Sequence, residues 1–337
     1  MIDFIRDDES IEKSVITEGK LKNKWNKNKF TLALYCLIKM PISILADSRF
    51  GIMRKKYLKM TKRYRSCKEL TQDKPIADIY MTGSDQVWGP IISGEYEWAY
   101  FLKFCSENDK KVSYAASFGK KQLSESAKKT AMQLINRYNS ITVREDSAVE
   151  LLNENGINAQ QVIDPTLLLT AKEWEEFLNV PERKIKEKYI LIYQIHNNKM
   201  LDKYAIEFAK KANLPLIRVS PLLHQCIRGG RFKFAPDLGE FISYVKNAEY
   251  LITDSFHGTV FSINFNTPLV TLMPNTGTST RNMSILKLTG LSDRIVTDST
   301  DFSIMERKID FTYANKVLDE QRKASMQILK QKLCDNE

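Results

Sequence analysis

Residues 249–272, EYLITDSFHGTVFSINFNTPLVTL, hold the side chains best placed for chemistry. They read as a buried strand, a polar run from Thr253 to Gly258, an apolar helix, then a second buried strand after Asn-Thr-Pro. The free N–H groups and the dipole at a helix start favour a phosphate or carboxylate. In parallel α/β sheets, ligands bind in crevices at the carboxyl ends of strands. His257 is one of three histidines and stands at such a mouth. There an imidazole works as a general acid or as an anion donor near neutral pH. Asp254 and Ser255 stand beside it as polar contacts, and Gly258 follows it.

Four other clusters invite the same question. GSDQVW at 83–88 follows a strand, so Ser84 and Asp85 offer acceptors at a loop tip. Asp85 serves there either as a base or sugar-hydroxyl contact, or as a cap on the next turn. TVREDS at 142–147 puts Arg144 where a strand ends and a helix begins. Such an arginine forks onto an external anion or pairs with the acids beside it. NTGTSTR at 275–281 ends in Arg281, either a cation on a phosphate-facing loop or part of a mobile surface loop with a capped helix start. HQCIRGGR at 224–231 reads as a flexible basic loop, and His196 follows a strand end. Metal-ligand spacings (HExxH, paired CxxC, an acidic calcium loop) are missing, so no metal is expected. The dinucleotide and P-loop glycine patterns and a GxSxG elbow are missing too.

The elements that must position these residues alternate. Strands are expected at 1–5, 77–80, 111–116, 140–143, 161–163, 189–194 and 215–219, and helices at 123–138, 145–153, 200–212, 239–246 and 313–333. That alternation predicts parallel α/β sheets. PERKIKEK at 181–188 is charged and aperiodic, and is the expected linker. The expected plan is therefore an N-terminal Rossmann-like lobe over 1–180, a C-terminal Rossmann-like lobe over 189–310, and a helix over 311–337 that packs back.

At 337 residues and 43% hydrophobic, the chain can bury sizeable cores. The net charge of +10 suits an acidic partner: a phosphorylated small molecule, a nucleic acid or an anionic membrane. Dispersed lysines without a stacking motif argue against nucleic acid. Five scattered cysteines form no framework and fit a reducing cytoplasm, and no secretory signal is visible. Residues 30–46, FTLALYCLIKMPISILA, are apolar but interrupted by Lys39 and Pro41. They read as a packed helix in preference to a membrane-surface one.

Taken in order, GSDQVW (83–88), SYAASFG (113–119), TVREDSAVELL (142–152), VIDPTLLL (162–169) and TDSFHGTVFSINFNTPLV (253–270) resemble the polysaccharide pyruvyl transferase family. The closing helix, with Arg322, Ser325 and Leu329, is similar as well. The resemblance implies two Rossmann-like lobes in a glycosyltransferase-B-like arrangement, with 1–180 on the acceptor side and 189–310 on the donor side. It implies transfer of pyruvate, as a ketal, from phosphoenolpyruvate to a sugar of a capsule, exopolysaccharide or cell-wall precursor. No cofactor is implied, since phosphoenolpyruvate is the donor substrate. The partners implied are that donor and a glycan or lipid-linked sugar. The implied location is the cytoplasm, with room for peripheral attachment at the inner face of the membrane.

By the resemblance Arg144 holds the donor anion, and His257 contacts its phosphate or acts as the acid. Arg281 is a second cation, Asp254, Ser255 and Ser84 bind substrate, and Asp85 works on the acceptor. Two departures stand out. Ser255-Phe256 precedes His257 where some members carry a basic residue, so a donor cation is expected from Arg281 or from the loop at 228–231. The family's opening strand, Asn-Tyr-Gly-Ala loop and helix have no counterpart, so the first lobe is expected to lack its opening βα unit. Two other readings stay open: a nucleotide-sugar transferase on the same architecture, and a truncated, non-catalytic homologue or partner of another subunit.

Overall fold

A computed structural model describes residues 1–6, 10–91, 95–119, 123, 125–181, 185–273 and 280–334. The chain divides into two compact units, Met1–Ala77 and Asp78–Glu337.

The first unit is built on a helical hairpin. Strand β1 (Asp3–Phe4) leads through α1 (Ile11–Leu21) and α2 (Lys29–Tyr57) to β2 (Arg63–Tyr64), which pairs parallel to β1, and then to α3 (Cys67–Gln72). Asn28 and Thr31 form a reciprocal capping box that starts α2. Gly19 lets the two helices touch: a Cβ there would lie 2.6 Å from Leu32 Cδ1 and 2.8 Å from Tyr35 Cδ1. The expectation of a packed helix over 30–46 fails for most of its surface. Tyr35 is the one residue of α2 that is buried. Phe30, Leu34, Leu37, Ile38, Ile44 and Leu45 stay exposed. Composition shows that a helix is apolar, but not that a partner covers it.

The second unit holds two parallel sheets. The first runs β3 (Ile79–Thr82), β4 (Lys110–Ser113), β5 (Thr142–Val143), β6 (Gln160–Gln161), with single bridges joining the two ladders. Helices α4 (Glu125–Ile135) and α5 (Asp146–Asn153) are its connections, and α6 (Ala171–Leu178) leaves it. The linker expected at 181–188 comes next, with 182–184 outside the described residues.

The second sheet comprises β7 (Ile190–Tyr193), β8 (Leu216–Ser220), β9 (Arg231–Phe234), β10 (Tyr250–Thr253) and β11 (Leu269–Thr271). They lie in the order β11-β10-β7-β8-β9. Helices α7 (Lys199–Lys211), α8 (Leu238–Lys246), α9 (Phe256–Asn264) and α10 (Thr280–Leu288) alternate with them, and α11 (Thr312–Cys334) closes the chain. The central strands bury every residue or nearly so, which is why they read as continuous apolar runs.

Because the strand order jumps from β9 back to β10 beside β7, the crevice between the carboxyl ends of β7 and β10 is the topological switch point. Helix α11 ties the two sheets together. Arg322 donates to Leu167 O at 2.8 Å and to Asn264 Oδ1 at 2.7 Å, and Ser325 Oγ accepts from Ile163 N at 3.2 Å. Strand β9 opens at Arg231, the last residue of the expected basic loop, and helix α10 opens at Thr280, near the end of the run 275–281.

Candidate functional site

The loops after β3, β5 and β6 meet the first turns of α9 and α10, and there the charged residues gather. Arg144 ends β5 and is buried. Its Nη1 donates to Asp164 Oδ2 at 2.7 Å and its Nε to Glu145 Oε1 at 3.1 Å. Ser84 Oγ donates to the same Asp164 oxygen at 2.6 Å, while Thr166 N and Oγ1 hold the other. Ser117 Oγ donates to Glu145 at 2.7 Å. Arg144 is thus fixed by the acids beside it, yet its Nη2 has no hydrogen-bond partner among the described residues. The nearest carboxylate for that nitrogen, Asp85 Oδ1, is 3.7 Å away.

Arg281 comes from the opposite sheet, on the first turn of α10. It is 8% exposed, donates from Nη1 to Asp85 Oδ1 at 3.2 Å, and its Nε has no hydrogen-bond partner among the described residues. Phe256 lies against both arginines, its ring centre 4.4 Å from the Arg144 guanidinium carbon and 5.8 Å from that of Arg281. An aromatic face favours a guanidinium and keeps it poorly hydrated, so its free N–H groups are the more available to an anion. Residues 275–279 lie outside the described residues, so the loop reading of that segment is carried by Arg281 alone.

Helix α9 supplies the third positive feature. Ser255 is its N-cap and accepts from Gly258 N at 3.3 Å, so its hydroxyl serves the helix. His257 sits on the first turn, partly exposed, its ring 5.4 Å from that of Phe256. Burial pushes the imidazole below its ordinary pKa. Asp164 and Asp85 pull it up, and Arg144 and Arg281 press it further down. It is therefore neutral near pH 7, able to donate from one nitrogen and accept at the other. For Asp164, burial alone would raise the pKa. The Arg144 guanidinium outweighs it, with His257 and the bonds from Ser84 and Thr166 adding, and the carboxyl is held down to about 2. Arg281 is lowered by burial first and by Arg144 next.

Asp85 stands at the open side. Its carboxylate is 61% exposed, and its backbone has φ +82°, in the left-handed region that costs a non-glycine residue energy. Asp254 is differently employed. Its two oxygens accept from Ile195 N at 2.9 Å and His196 N at 3.2 Å, so it bridges the ends of β10 and β7 and fills the switch point. His196 Nδ1 lies 3.5 Å from the same carboxylate. The basic loop is also engaged: Arg228 contacts Asp202 and Asn197, and Arg231 pairs with Glu187 as it opens β9.

The structure therefore brings Ser84, Asp85, Arg144, His257 and Arg281 into one cluster, with Ser255 and Asp254 supporting its frame. Asp164, Glu145 and Phe256 belong to the cluster and were not singled out from sequence as site residues. A carboxylate that ends a strand, as in Val-Ile-Asp-Pro, was the signal for Asp164.

A void of about 20 Å³ lies against Arg144, Asp164, Phe256 and Arg281, enough for one water. Beside it, sharing Ser284 as a wall, a cleft of about 780 Å³ separates α5 from α10. Lys128, Asp146, Ser147, Glu150, Thr280 and Lys287 line it. Among the described residues no cluster of ligating side chains could hold a metal ion.

The sequence profile of the polysaccharide pyruvyl transferase family matches residues 9–275. No curated protein matches the chain. Among solved structures, a UDP-N-acetylglucosamine 2-epimerase assigned in Listeria monocytogenes superposes with a TM-score of 0.52 at 12% identity, covering 100% of this chain and 97% of that one. The UDP-N-acetylglucosamine 2-epimerase of Rickettsia bellii gives 0.49 at 13% identity, covering 80% and 76%. At such identities the likeness is one of fold, and the fold is glycosyltransferase-B-like.

Proposed function

The chain belongs to the polysaccharide pyruvyl transferase family, and from that premise we propose that it moves pyruvate from phosphoenolpyruvate onto a sugar diol of a surface-glycan precursor as a cyclic ketal. The observation that carries this reading is the pair of buried guanidinium groups, Arg144 and Arg281, one from each sheet. They flank Phe256 beside the α9 N-terminus, each with a nitrogen lacking a hydrogen-bond partner among the described residues. Phosphoenolpyruvate carries a carboxylate and a phosphate on one small carbon frame, and two cations that converge on a helix start suit it. In this reading Arg281 stands in for the basic residue that some members carry before the Leu-His-Gly, where this chain has Ser255.

The chemistry sets the remaining roles. A proton must reach C3 of the enol, which leaves C2 electrophilic. One sugar hydroxyl then bonds to C2, the C2–O bond to phosphate breaks, and the second hydroxyl closes the ketal. Of the two hydroxyl protons, one replaces the proton delivered to C3 and the other leaves with phosphate, so no oxidant or cofactor is needed. His257, neutral in the empty site, gains basicity when a dianion binds beside it. It then serves as the acid toward C3 or as a donor to the leaving phosphate. Asp85 is the exposed carboxylate at the mouth, suited to receive a proton from the acceptor.

The test is incubation with phosphoenolpyruvate and candidate nucleotide- or lipid-linked sugars, reading phosphate release and a pyruvylated product. Thermal shifts with phosphoenolpyruvate and with UDP run beside it. A shift with phosphoenolpyruvate supports the reading. A shift with UDP alone, or none with either ligand and no phosphate from any acceptor, overturns it.

A further inference from the structure

Helix α2 is the one described helix long and apolar enough to cross a bilayer by length and composition, and little of it is covered. Its exposed apolar residues are ordered. Phe30, Leu34, Leu37, Ile38, Leu45 and Ile52 recur at helical spacing and fall on one face, each 41–76% exposed. The opposite face packs on α1 through Leu32 and Tyr35, which meet Gly19. A continuous stripe of this size on a soluble domain marks a contact surface.

Its surroundings select the partner. Residues 20–62 contain twelve lysines and arginines and a single acid, Asp47. Asp47 is paired with Arg54 at 3.0 Å. The positive charge brackets the stripe, with Lys24, Lys27 and Lys29 before it and Arg54, Lys55 and Lys56 closing α2. Two copies of this hairpin placed face to face would bring like charges together at both ends. An anionic lipid surface would receive the apolar face into its acyl boundary and the lysine heads among its headgroups. Spanning is disfavoured, because α1 lies along α2 and carries Glu12, Lys13, Glu18 and Lys20, which would be drawn into hydrocarbon. Lys39, in mid-helix, points to that side, 3.7 Å from Glu18.

We propose that the α1–α2 hairpin is an in-plane anchor that docks this protein on an anionic bilayer, with α2 facing the lipid. The inference does not depend on the pyruvyl-transfer reading.

The full-length protein should co-sediment with vesicles of phosphatidylcholine and phosphatidylglycerol, and far less with vesicles of phosphatidylcholine alone. Added salt should weaken the binding. The variant Leu37→Glu/Leu45→Glu alters only exposed positions and should melt as the parent does, while its vesicle partitioning falls by at least about tenfold. Replacing Lys24 and Lys27 with Gln leaves the apolar face intact and should reduce binding roughly fivefold per lysine. Hydrogen exchange should show protection of residues 29–57 on anionic vesicles.

Three results would overturn the proposal. One is no recovery with anionic vesicles; another is binding that neither set of substitutions alters. The third is a stable dimer that Leu37→Glu/Leu45→Glu dissociates while the parent ignores vesicles, which assigns the stripe to a second copy.

Discussion

Arg281 Nη1 donates to Asp85 Oδ1 at 3.2 Å, and this bond joins the loop after β3 to the first turn of α10. The same carboxylate oxygen lies 3.7 Å from Arg144 Nη2. Asp85 therefore acts as counter-ion to both arginines. An incoming dianion has to share them with that carboxylate or displace it. Removing the charge separates donor binding from turnover. Asp85→Asn is expected to tighten phosphoenolpyruvate modestly, by less than about 1 kcal/mol because the carboxylate is exposed. It should slow turnover by about 10²-fold or more if the carboxylate takes an acceptor proton. Titration calorimetry and phosphate release measure the two effects, and a variant unchanged in both removes Asp85 from the site.

The two arginines differ in what else they support. Arg144 neutralises two buried acids, Glu145 and Asp164. Arg144→Ala should therefore destabilise the fold by about 3–5 kcal/mol, since it strands buried charge, besides losing the donor. Arg281 pairs with one exposed carboxylate and is pressed by its neighbour's like charge. Arg281→Ala should leave stability within about 1 kcal/mol yet weaken phosphoenolpyruvate binding at least about tenfold. Denaturant unfolding and calorimetry separate the pair. Equal loss of stability in both would contradict the asymmetry.

How much of this could be read from sequence follows from burial. Strands β7 and β10 are buried on both faces, so each appears as an apolar run that could be located without a structure. Strand β9, RFKF, is an edge strand with Arg231 and Lys233 exposed, and a basic edge looks like a basic loop. Helix α10 opens at Thr280, inside a Gly/Thr/Ser run that reads equally as a phosphate-facing loop or as a loop with a capped helix start. The arginine was legible there, but not its position on a helix facing Asp85. Arg144 could be read either as an anion fork or as a partner of adjacent acids. The structure pairs it with Glu145 and Asp164 and leaves Nη2 unbonded. Asp254 looked like a ligand because it stands at a switch point, whereas its oxygens close that crevice by binding backbone amides. No local pattern tells a carboxylate that faces a ligand from one that ties two loops.

Acid should undo the Asp164 network. This carboxyl sits at about 2, below its ordinary value of 3.8. A carboxyl whose folded pKa is depressed adds stability that is complete above its unfolded pKa and is lost as the pH falls through the folded one. The shift corresponds to about 2 kcal/mol, lost between roughly pH 4 and pH 2. His257 acts in the same direction at higher pH. Its folded pKa lies below 6.5, so stability also declines as the pH drops below that value. Asp164→Asn should flatten the lower part of the curve while lowering overall stability. A wild-type curve without any slope below pH 4 would contradict the assignment.

Gly258 sets how closely α9 approaches the sheet, and through it where His257 and the helix N-terminus point. A Cβ at this position would lie 2.5 Å from Thr253 Oγ1 and 3.1 Å from Tyr193 Cδ1, both in the buried sheet. Thr253 Oγ1 already donates to Tyr193 O at 2.6 Å and accepts from Ser255 N at 3.0 Å, so it cannot swing aside without breaking both bonds. Relief must come from moving the helix. Gly258→Ala is therefore expected to destabilise the protein by about 1–3 kcal/mol, the usual cost of overpacking. It should also displace the donor site that α9 shares with Arg144 and Arg281. Thr253→Ser removes a methyl but keeps the hydroxyl, so it should not rescue Gly258→Ala. Thr253→Ala clears the oxygen, and should restore part of the lost stability in the double variant. Melting of the three single and two double variants measures this, and a Gly258→Ala protein that melts with the parent would mean that α9 has room to shift.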